Sequence, residues 1–316
     1  MVDPLEHVLT LLSVEGMVGV PLHAGGRWAV AFSGRLDIRC EAVVQGACWV
    51  TAEGRDEPLR AEQGDCYLVV GRRHYRLCSD LETPAVPANA VYRDPDGTRR
   101  PHPRVGTGHD TTLVGAGFTF DVHAAPLLLG VLPPVVHIPA ESGDAAALRA
   151  TIILLGTEVG GDRLGRAAML NRLSAVVLLQ ALRAYAEAGG AATSGWLGAS
   201  LDPQIGAALR AMHADLAYPW SVPELAGIAR MSRSTFSLRF KEAVGASPAD
   251  YVLRVRMHTA ARALRESGRT VASIAAGVGY GSESAFSVAF KRVMGRSPGR
   301  HRVLGAPRDI GPAWAS

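Results

Sequence analysis

Two stretches in the C-terminal third of the chain repeat one order of residue types. Residues 222–245 and 271–295 each predict a short apolar helix, a tight turn, and a second helix that begins at a Ser and ends in basic residues and Gly. In each second helix two Phe residues lie four positions apart, so they must share the buried face. The opposite face carries Arg, Ser and Lys side chains, which suit base edges and phosphates in a DNA major groove. The two stretches therefore predict a pair of helices that read DNA.

The segment between these stretches predicts the element that positions them. Residues 249–266 have apolar residues at helical spacing and predict one continuous helix. A rigid connection of this kind would fix the distance between the two reading helices. Two such helices about 34 Å apart would enter successive major grooves on one face of the DNA.

Positive charge is concentrated in the same region. Residues 203–302 contain fifteen Arg or Lys and six Asp or Glu, which gives this segment a net charge of +9. Because the whole chain carries +4, the remainder carries −5. A basic segment beside an acidic remainder is typical of a single nucleic-acid-binding domain. Arg-rich surfaces are also common in chains with little Lys, so the charge alone does not decide between these interpretations.

The first 140 residues follow a different pattern. Residues 5–17 predict a short helix, after which short runs rich in Val, Trp, Tyr and Phe alternate with Gly, Asp and Pro. Turn signals at intervals of roughly 8–12 residues predict an antiparallel barrel or sandwich. Residues 83–109, rich in Pro, Arg and Asp, predict a long loop.

Helical sequence returns between these two regions. Residues 145–159 predict one helix, and residues 162–188 predict a longer one with Asp162 as its N-cap and a Gly pair as its stop. The longer helix is apolar around much of its circumference, which predicts several buried faces. It is therefore expected to pack on the strands, on a second copy of the chain, or on both.

The N-terminal sequence carries no targeting signal. It contains acidic residues early and lacks the basic segment of a signal peptide. No apolar run reaches the roughly 18 residues of a membrane span. These features predict a cytoplasmic protein that does not bind membranes, with four cysteines that are mostly reduced.

Three segments of the C-terminal region stand in a characteristic order: LAGIARMSRSTFSLRFKEAVGASPADYV, RMHTAARAL and IAAGVGYGSESAFSVAFKRVMGRSPGRHR. Together they resemble the DNA-binding domain of AraC/XylS-type transcriptional regulators. The resemblance implies sequence-specific binding of double-stranded DNA and contact with RNA polymerase, and it leaves activation or repression open. It implies base contacts by Ser234, Ser237, Leu238, Glu283, Ser284, Ser287 and Val288. The candidates for phosphate contacts are Arg233, Arg239, Lys241, Lys291 and Arg292.

Earlier in the chain, CEAVVQGACWVTAEG and LRAEQGDCYLVVGRRHYRL resemble the two halves of a cupin barrel, of the kind fused to a subset of AraC-type regulators. TTLVGAGFTFDVHAAPLLLGVLPPVVHI and GWLGASLDPQIGAAL extend the match over most of residues 3–302. The implied fold is α+β, with an N-terminal cupin-like antiparallel β-barrel flanked by helices and a C-terminal all-α domain with two helix-turn-helix units. The predicted divisions are a cupin-like sensor domain (1–140), dimerisation and linker helices (141–190), a flexible linker (191–202), the DNA-binding domain (203–303) and a disordered tail (304–316).

The cupin resemblance also implies a candidate metal site. Cupins often hold a metal ion through His and Glu side chains of the two motifs, and the corresponding residues here are Glu41 and His74. With neighbouring Cys and His side chains, they would suit a divalent metal such as zinc. The chain departs from the enzyme-type pattern, because Glu41 stands where a His is expected. An empty or ligand-binding barrel is the alternative.

The four cysteines, Cys40, Cys48, Cys66 and Cys78, all fall within the predicted barrel. A pair of thiolates that switches conformation on oxidation would make them redox sensors. Free cysteines are also common as small buried hydrophobes, and no CxxC motif is present. A small apolar or aromatic effector inside the barrel is a further hypothesis.

These observations predict a homodimeric transcription regulator. Its barrel would gate DNA binding through effector occupancy or dimer geometry, and residues 162–188 would supply the dimer contact. The alternative is a metal-dependent cupin enzyme with an accessory DNA-binding domain, which would need more metal ligands and a base than Glu41 and His74 provide. An architectural DNA protein is a third interpretation, which the sensor-like barrel disfavours.

Overall fold

The computed structural model describes residues 2–143, 145–159, 163–189 and 195–304. The described residues divide into two units, which we call the sheet unit and the helical unit. The sheet unit consists of Ser13–Phe120 and Leu127–Thr193, and the helical unit consists of Met1–Leu12, Asp121–Pro126 and Ser194–Ser316. The predicted N-cap Asp162, part of the predicted linker (191–194) and the tail beyond residue 304 lie outside the described residues.

The strands lie in the first 140 residues, and most of the helices lie after them, as the sequence pattern predicts. The strands are β1 (Glu15–Val18), β2 (Leu22–Gly25), β3 (Ala29–Phe32), β4 (Ile38–Gln45), β5 (Ala47–Ala52), β6 (Leu59–Glu62), β7 (Cys66–Val70), β8 (Tyr75–Cys78), β9 (Val86–Pro87), β10 (Arg104–Gly106), β11 (Thr111–Thr119) and β12 (Val135–Ile138). The helices are α1 (Pro4–Leu12), α2 (Ala88–Tyr92), α3 (Ala125–Leu129), α4 (Ala145–Val159), α5 (Arg166–Gly189), α6 (Trp196–Ala199), α7 (Ile205–Ala214), α8 (Val222–Ile228), α9 (Arg233–Val244), α10 (Pro248–Glu266), α11 (Val271–Gly277), α12 (Glu283–Met294) and α13 (Pro298–Leu304).

The strands form two sheets that do not close into the predicted barrel. One sheet has the order β10-β2-β11-β4-β7-β12 with β1 beside β11, and the other has the order β6-β5-β8-β3-β9. β4 and β5 are adjacent in sequence but pair in different sheets, because the chain turns at Gly46 with φ +73°. A side chain at Gly46 would overlap the backbone oxygen of Asp110. The two sheets share one apolar core, to which Val43 and Leu113 contribute from the first sheet and Val50 from the second.

Helices α4 and α5 cover the first sheet. They pack against each other, α4 also against β4 and β11, and α5 against β1 and β12. The bounds of α4 match the predicted helix at 145–159. The predicted loop at 83–109 contains the short elements α2, β9 and β10, because this segment adds strands to the edges of both sheets.

The first helix of the chain belongs to the helical unit. The buried side of α1, which includes Leu5 and Val8, packs against the C-terminal helices α7 and α10 of this unit. The imidazole Nδ1 atoms of His7 and His213 lie 2.8 Å apart. Burial lowers the pKa of His213 to about 3, with a smaller contribution from His7. The predicted sensor domain (1–140) grouped this helix with the strands, since its contacts with α7 and α10 span about 200 positions and leave no local signal.

The connecting helix α10 is continuous, which confirms the prediction for residues 249–266. It begins at Ser247, whose side chain accepts a hydrogen bond from the Asp250 backbone amide, and Pro248 occupies the first turn. Its 19 residues span about 28 Å at 1.5 Å per residue. None of the helices in the described ranges is long and apolar enough to cross a membrane.

Candidate nucleic-acid interface

The two predicted helix-turn-helix units, which we call the hooks, are present as helix pairs. The first hook is α8 with α9, and the second is α11 with α12. Their second helices, which we call the reading helices, have the same length and the same ends. Ser232 and Ser282 are the N-caps, and their side chains accept hydrogen bonds from the amides of Thr235 and Ala285. Gly245 ends α9 with φ +77°, and Gly295 ends α12 with φ +73°. The reading helices therefore correspond residue by residue with an offset of 50 positions.

The turns of the two hooks differ by one residue. In the first hook the Met231 amide bonds to the Ala226 oxygen, and in the second the Tyr280 amide bonds to the Ala275 oxygen, an offset of 49. The additional residue is Gly281, which stands between Tyr280 and the N-cap of α12. The first helices of the two hooks, α8 and α11, thus repeat with an offset of 49, and the reading helices repeat with an offset of 50.

Gly279 is the glycine that the second turn requires. Its φ is +84°, and an added Cβ would overlap the backbone oxygen of Ala217. Arg230 adopts φ +53° at the corresponding position of the first hook, so a side chain is accommodated there.

We expect Gly279→Ala to lower the free energy of unfolding of the helical unit by about 1–3 kcal/mol, because it combines a strained φ with a backbone overlap. Gly281→Ala is the matched control, since an added Cβ there has no atom of the described residues within 4 Å. Urea unfolding followed by circular dichroism measures both variants. Equal stability of the two variants would contradict this role of Gly279.

The buried faces of the reading helices agree with the prediction. Phe236 and Phe240 on α9, and Phe286 and Phe290 on α12, are all 0% exposed. The ring centroids lie 5.5 Å apart in the first pair and 5.4 Å apart in the second. The i, i+4 spacing therefore fixes which side of each reading helix faces outward.

Most predicted contact residues lie on these outward faces. Leu238 is 60% exposed and Val288 is 70% exposed, although both are apolar. Ser237 and Ser287 are half-buried at equivalent positions. The other exposed predicted residues are Arg233, Ser234, Lys241, Glu283, Ser284, Lys291 and Arg292. Each reading helix therefore presents an outward surface with Ser side chains in its first turns and a Lys in its last turn, together with a charged first residue, Arg233 in α9 and Glu283 in α12.

Arg239, a predicted phosphate contact, makes hydrogen bonds within the protein, and its contact with phosphate remains a prediction. Its guanidinium donates to Asp202 Oδ2 at 3.1 Å and to Gln204 Oε1 at 2.9 Å. Gln204 in turn donates to the Ala229 backbone oxygen at 3.0 Å. These contacts join the start of α7, the end of α8 and the middle of α9. Arg239 therefore positions the first reading helix, and its hydrogen bonds are directed into the protein.

Two exposed residues on the outward faces were not among the predicted contacts. Thr235 and Ala285 occupy equivalent positions three residues after the N-caps, and both are exposed. A helical wheel would have identified them, because the third position after each N-cap lies away from the buried Phe pair, in the first exposed turn. The Thr235 hydroxyl lies 2.8 Å from the Ser232 hydroxyl, so it also belongs to the cap.

The sheet unit places the predicted metal ligands in different surroundings. Glu41 is 2% exposed and accepts hydrogen bonds from Arg39 Nε at 2.7 Å and from the Tyr67 hydroxyl at 2.6 Å. The His74 side chain is 71% exposed, and its Nδ1 lies 3.0 Å from Glu53 Oε1. Among the described residues, no group of three or more His, Cys, Asp or Glu side chains could hold a metal ion. The arrangement does not favour a metal bound by Glu41 and His74, which remains a prediction.

The four cysteines are free and buried. Burial raises the pKa of the Cys48 and Cys66 thiols to about 12, and it raises the pKa of Cys40 and Cys78 as well. The thiols are therefore neutral at pH 7, whereas oxidation proceeds through the thiolate. These surroundings favour cysteines that pack as small apolar groups.

Comparisons with known proteins match both units. A family profile described as Cupin matches residues 3–187, and one described as Helix-turn-helix domain matches residues 225–303. A Streptomyces antibioticus protein described as an AraC-like transcription regulator is 44% identical over 279 residues, which cover 88% of this chain and 91% of that protein. A Streptomyces lividans protein of the same description is 43% identical and covers 88% of this chain and 90% of that protein. Among solved structures, the DNA-binding domain of AdpA in complex with a target DNA is 32% identical, covers 33% of this chain and 92% of that chain, and gives a TM-score of 0.31.

Proposed function

Because this chain belongs to the AraC-like transcription regulators, we propose that its two reading helices bind successive major grooves of double-stranded DNA while the sheet unit senses an effector. The chain is a DNA-binding transcription regulator, in line with its helix-turn-helix match and with its relatives. The observation that carries the proposal is the duplicated register of α9 and α12. Two helices with equivalent caps, equivalent buried Phe pairs and outward faces in the same register are suited to equivalent positions in two grooves.

The basic ends of the reading helices supply the proposed phosphate contacts. Lys241 lies in the last turn of α9, and Lys291 and Arg292 lie in the last turn of α12. Cations at these positions also interact favourably with the C-terminal end of the helix dipole. The salt dependence of DNA binding distinguishes a phosphate contact from an interaction with the helix dipole, because only a phosphate contact releases counterions from the DNA.

Lys291→Ala is therefore expected to weaken binding to all DNA sequences and to reduce the slope of log K against log salt by about 0.9. Arg60→Ala is the control, because Arg60 is exposed in the sheet unit and lies over the Trp49 ring. Fluorescence anisotropy of the full chain at several salt concentrations measures both slopes. If the two variants keep the slope of the unmodified chain, Lys291 does not contact phosphate.

Self-association is proposed to use the outer faces of α4 and α5. Large apolar side chains are exposed on both helices: Ile153 and Leu154 on α4, and Met169 and Val176 on α5. Because α4 and α5 pack against each other, these side chains lie on one pair of neighbouring helices. An apolar surface of this kind is typical of an interface between chains.

A test of the interface is the sedimentation of the full chain at micromolar concentration. The unmodified chain is expected to sediment as a dimer and Leu154→Arg as a monomer. Val122→Arg should remain dimeric, since Val122 is 68% exposed but lies outside both helices. A monomeric unmodified chain, or a dimeric Leu154→Arg variant, would exclude this surface.

The sheet unit is the proposed sensor, and the cupin match fits this role. An effector that prefers one conformation of the sheet unit would shift the fraction of chain competent to bind DNA. The buried, neutral thiols favour a small-molecule effector over a redox signal. By resemblance to the family, the regulator would act on RNA polymerase in the cytoplasm.

An enzymatic role for the sheet unit has little support. The relatives are described as transcription regulators. Glu41, one of the two residues available for metal chemistry, is already bonded to Arg39 and Tyr67.

A further inference from the structure

The common register of α9 and α12 allows their outward faces to be compared position by position, counted from the N-caps Ser232 and Ser282. Positions two and five carry Ser in both helices, and position six carries Leu238 in α9 and Val288 in α12. The charge changes at position one, where Arg233 corresponds to Glu283, and at position ten near the helix end, where Glu242 corresponds to Arg292. The two faces share Ser at positions two and five and Lys at position nine, and they differ in charge at positions one and ten. This pattern suggests two related, non-identical half-sites.

The apolar residue at position six is the first signal. Leu238 and Val288 are 60% and 70% exposed, and each lies among polar side chains on its helix. A single exposed apolar side chain is ordinary on a protein surface. We take the same exposure at the same register of two reading helices as a sign that both side chains meet the same kind of partner. In the major groove the apolar group on a base edge is the thymine C5-methyl, which aliphatic side chains contact.

The exchange of charge at position one is the second signal. Arg233 and Glu283 are both exposed, and within the described ranges neither has a side-chain hydrogen bond or ion pair. An Arg in the first turn of a helix opposes the helix dipole, so helix stability does not account for Arg233. An Arg in the major groove pairs with the O6 and N7 acceptors of guanine, whereas a Glu accepts a hydrogen bond from cytosine N4 and repels phosphates.

We propose that the chain reads two half-sites that each present a thymine to position six and that differ at a neighbouring base pair, with guanine facing Arg233 and cytosine facing Glu283. This assignment rests on the proposed DNA-binding function and specifies its sequence preference. The operator is therefore a pair of similar half-sites, and the two reading helices are not interchangeable.

The first experiment measures the contribution of the methyl group. Selection from a randomised duplex library with the full chain supplies the bound site, and anisotropy then measures affinity with each conserved thymine replaced by deoxyuridine. Each replacement is expected to weaken binding about fourfold, as for one methyl-sized group returned to water. Leu238→Ala should abolish this effect in the first half-site alone, and Val288→Ala in the second alone.

Val303→Ala is the control, because Val303 is 77% exposed on α13, outside the reading helices. It should retain the deoxyuridine effect in both half-sites. An equal deoxyuridine effect in the unmodified chain, Leu238→Ala and Val288→Ala would overturn the thymine assignment.

The second experiment exchanges the charges at position one. The double variant Arg233→Glu with Glu283→Arg should prefer the site in which guanine and cytosine have exchanged half-sites, by about tenfold over the original site. Unchanged preference, or loss of discrimination at these two base pairs with thymine preference retained, would overturn the charge assignment. Both residues are exposed, and circular dichroism checks that the helices persist.

Failure of this inference is distinct from failure of the proposed function. If the unmodified chain protects two major grooves but shows neither the thymine nor the guanine and cytosine preference, the proposed function stands and this assignment is wrong. If it protects no pair of grooves, both are wrong.

Discussion

Replacing Phe290 with Ala is expected to lower the free energy of unfolding of the helical unit by about 3–5 kcal/mol. Phe290 is 0% exposed and belongs to the core cluster that α10, α11 and α12 share. Its ring lies 5.4 Å from that of Phe286 and 5.4 Å from that of His301, measured between centroids. The cavity left by the substitution would remove the packing that holds α12 against α10, so binding through the second hook should be lost as well.

Val288→Ala is the matched control for Phe290→Ala, since it removes an exposed side chain from the same helix. It should change the free energy of unfolding by no more than about 0.5 kcal/mol. Chemical unfolding monitored by circular dichroism compares the two variants. Similar stability of both would mean that Phe290 does not anchor α12.

Glu41→Gln is expected to lower the free energy of unfolding of the sheet unit by about 3–5 kcal/mol. Glu41 is buried and bonded to Arg39, whose side chain is 15% exposed, so its neutralisation leaves a buried guanidinium without a counter-charge. The guanidinium carbon lies 5.6 Å from the centre of the Phe32 ring, which does not supply a full charge. Thermal unfolding of the full chain measures the loss.

Two variants define the origin of this effect. Glu53→Gln should change stability little, because Glu53 and its partner His74 are both exposed. The double variant Arg39→Met with Glu41→Met should recover much of the stability, since no buried charge of this pair remains. If the double variant is no more stable than Glu41→Gln, or if Glu53→Gln is equally destabilising, the buried pair does not account for the stability of the sheet unit.

The hooks could be predicted from sequence because their signals are local. A capping Ser, two Phe residues four apart and a terminal Gly lie within fourteen positions, and each acts on the helix that contains it. The long connecting helix could also be predicted from local sequence, because Ser247 and Pro248 mark its start. The exposure of Leu238 and Val288 followed from the buried Phe pairs.

Contacts between distant segments could not be predicted in the same way. The separation of the strands into two sheets depends on the pairing of β4 with β11 and β7, whereas alternation in sequence identifies strands and not their partners. The grouping of α1 with the C-terminal helices depends on contacts such as His7 with His213. The hydrogen bonds of Arg239 could not be predicted for the same reason, because its acceptors Asp202 and Gln204 lie more than thirty positions away.

Hydroxyl-radical footprinting of the full chain on its selected duplex tests the central claim most directly. Two reading helices joined by α10 should protect two regions about one helical turn apart on one face of the DNA. Phe290→Ala should lose the protection of one region and retain the other. Protection of a single groove by the unmodified chain, or of two regions on opposite faces of the duplex, would contradict the paired reading of DNA by α9 and α12.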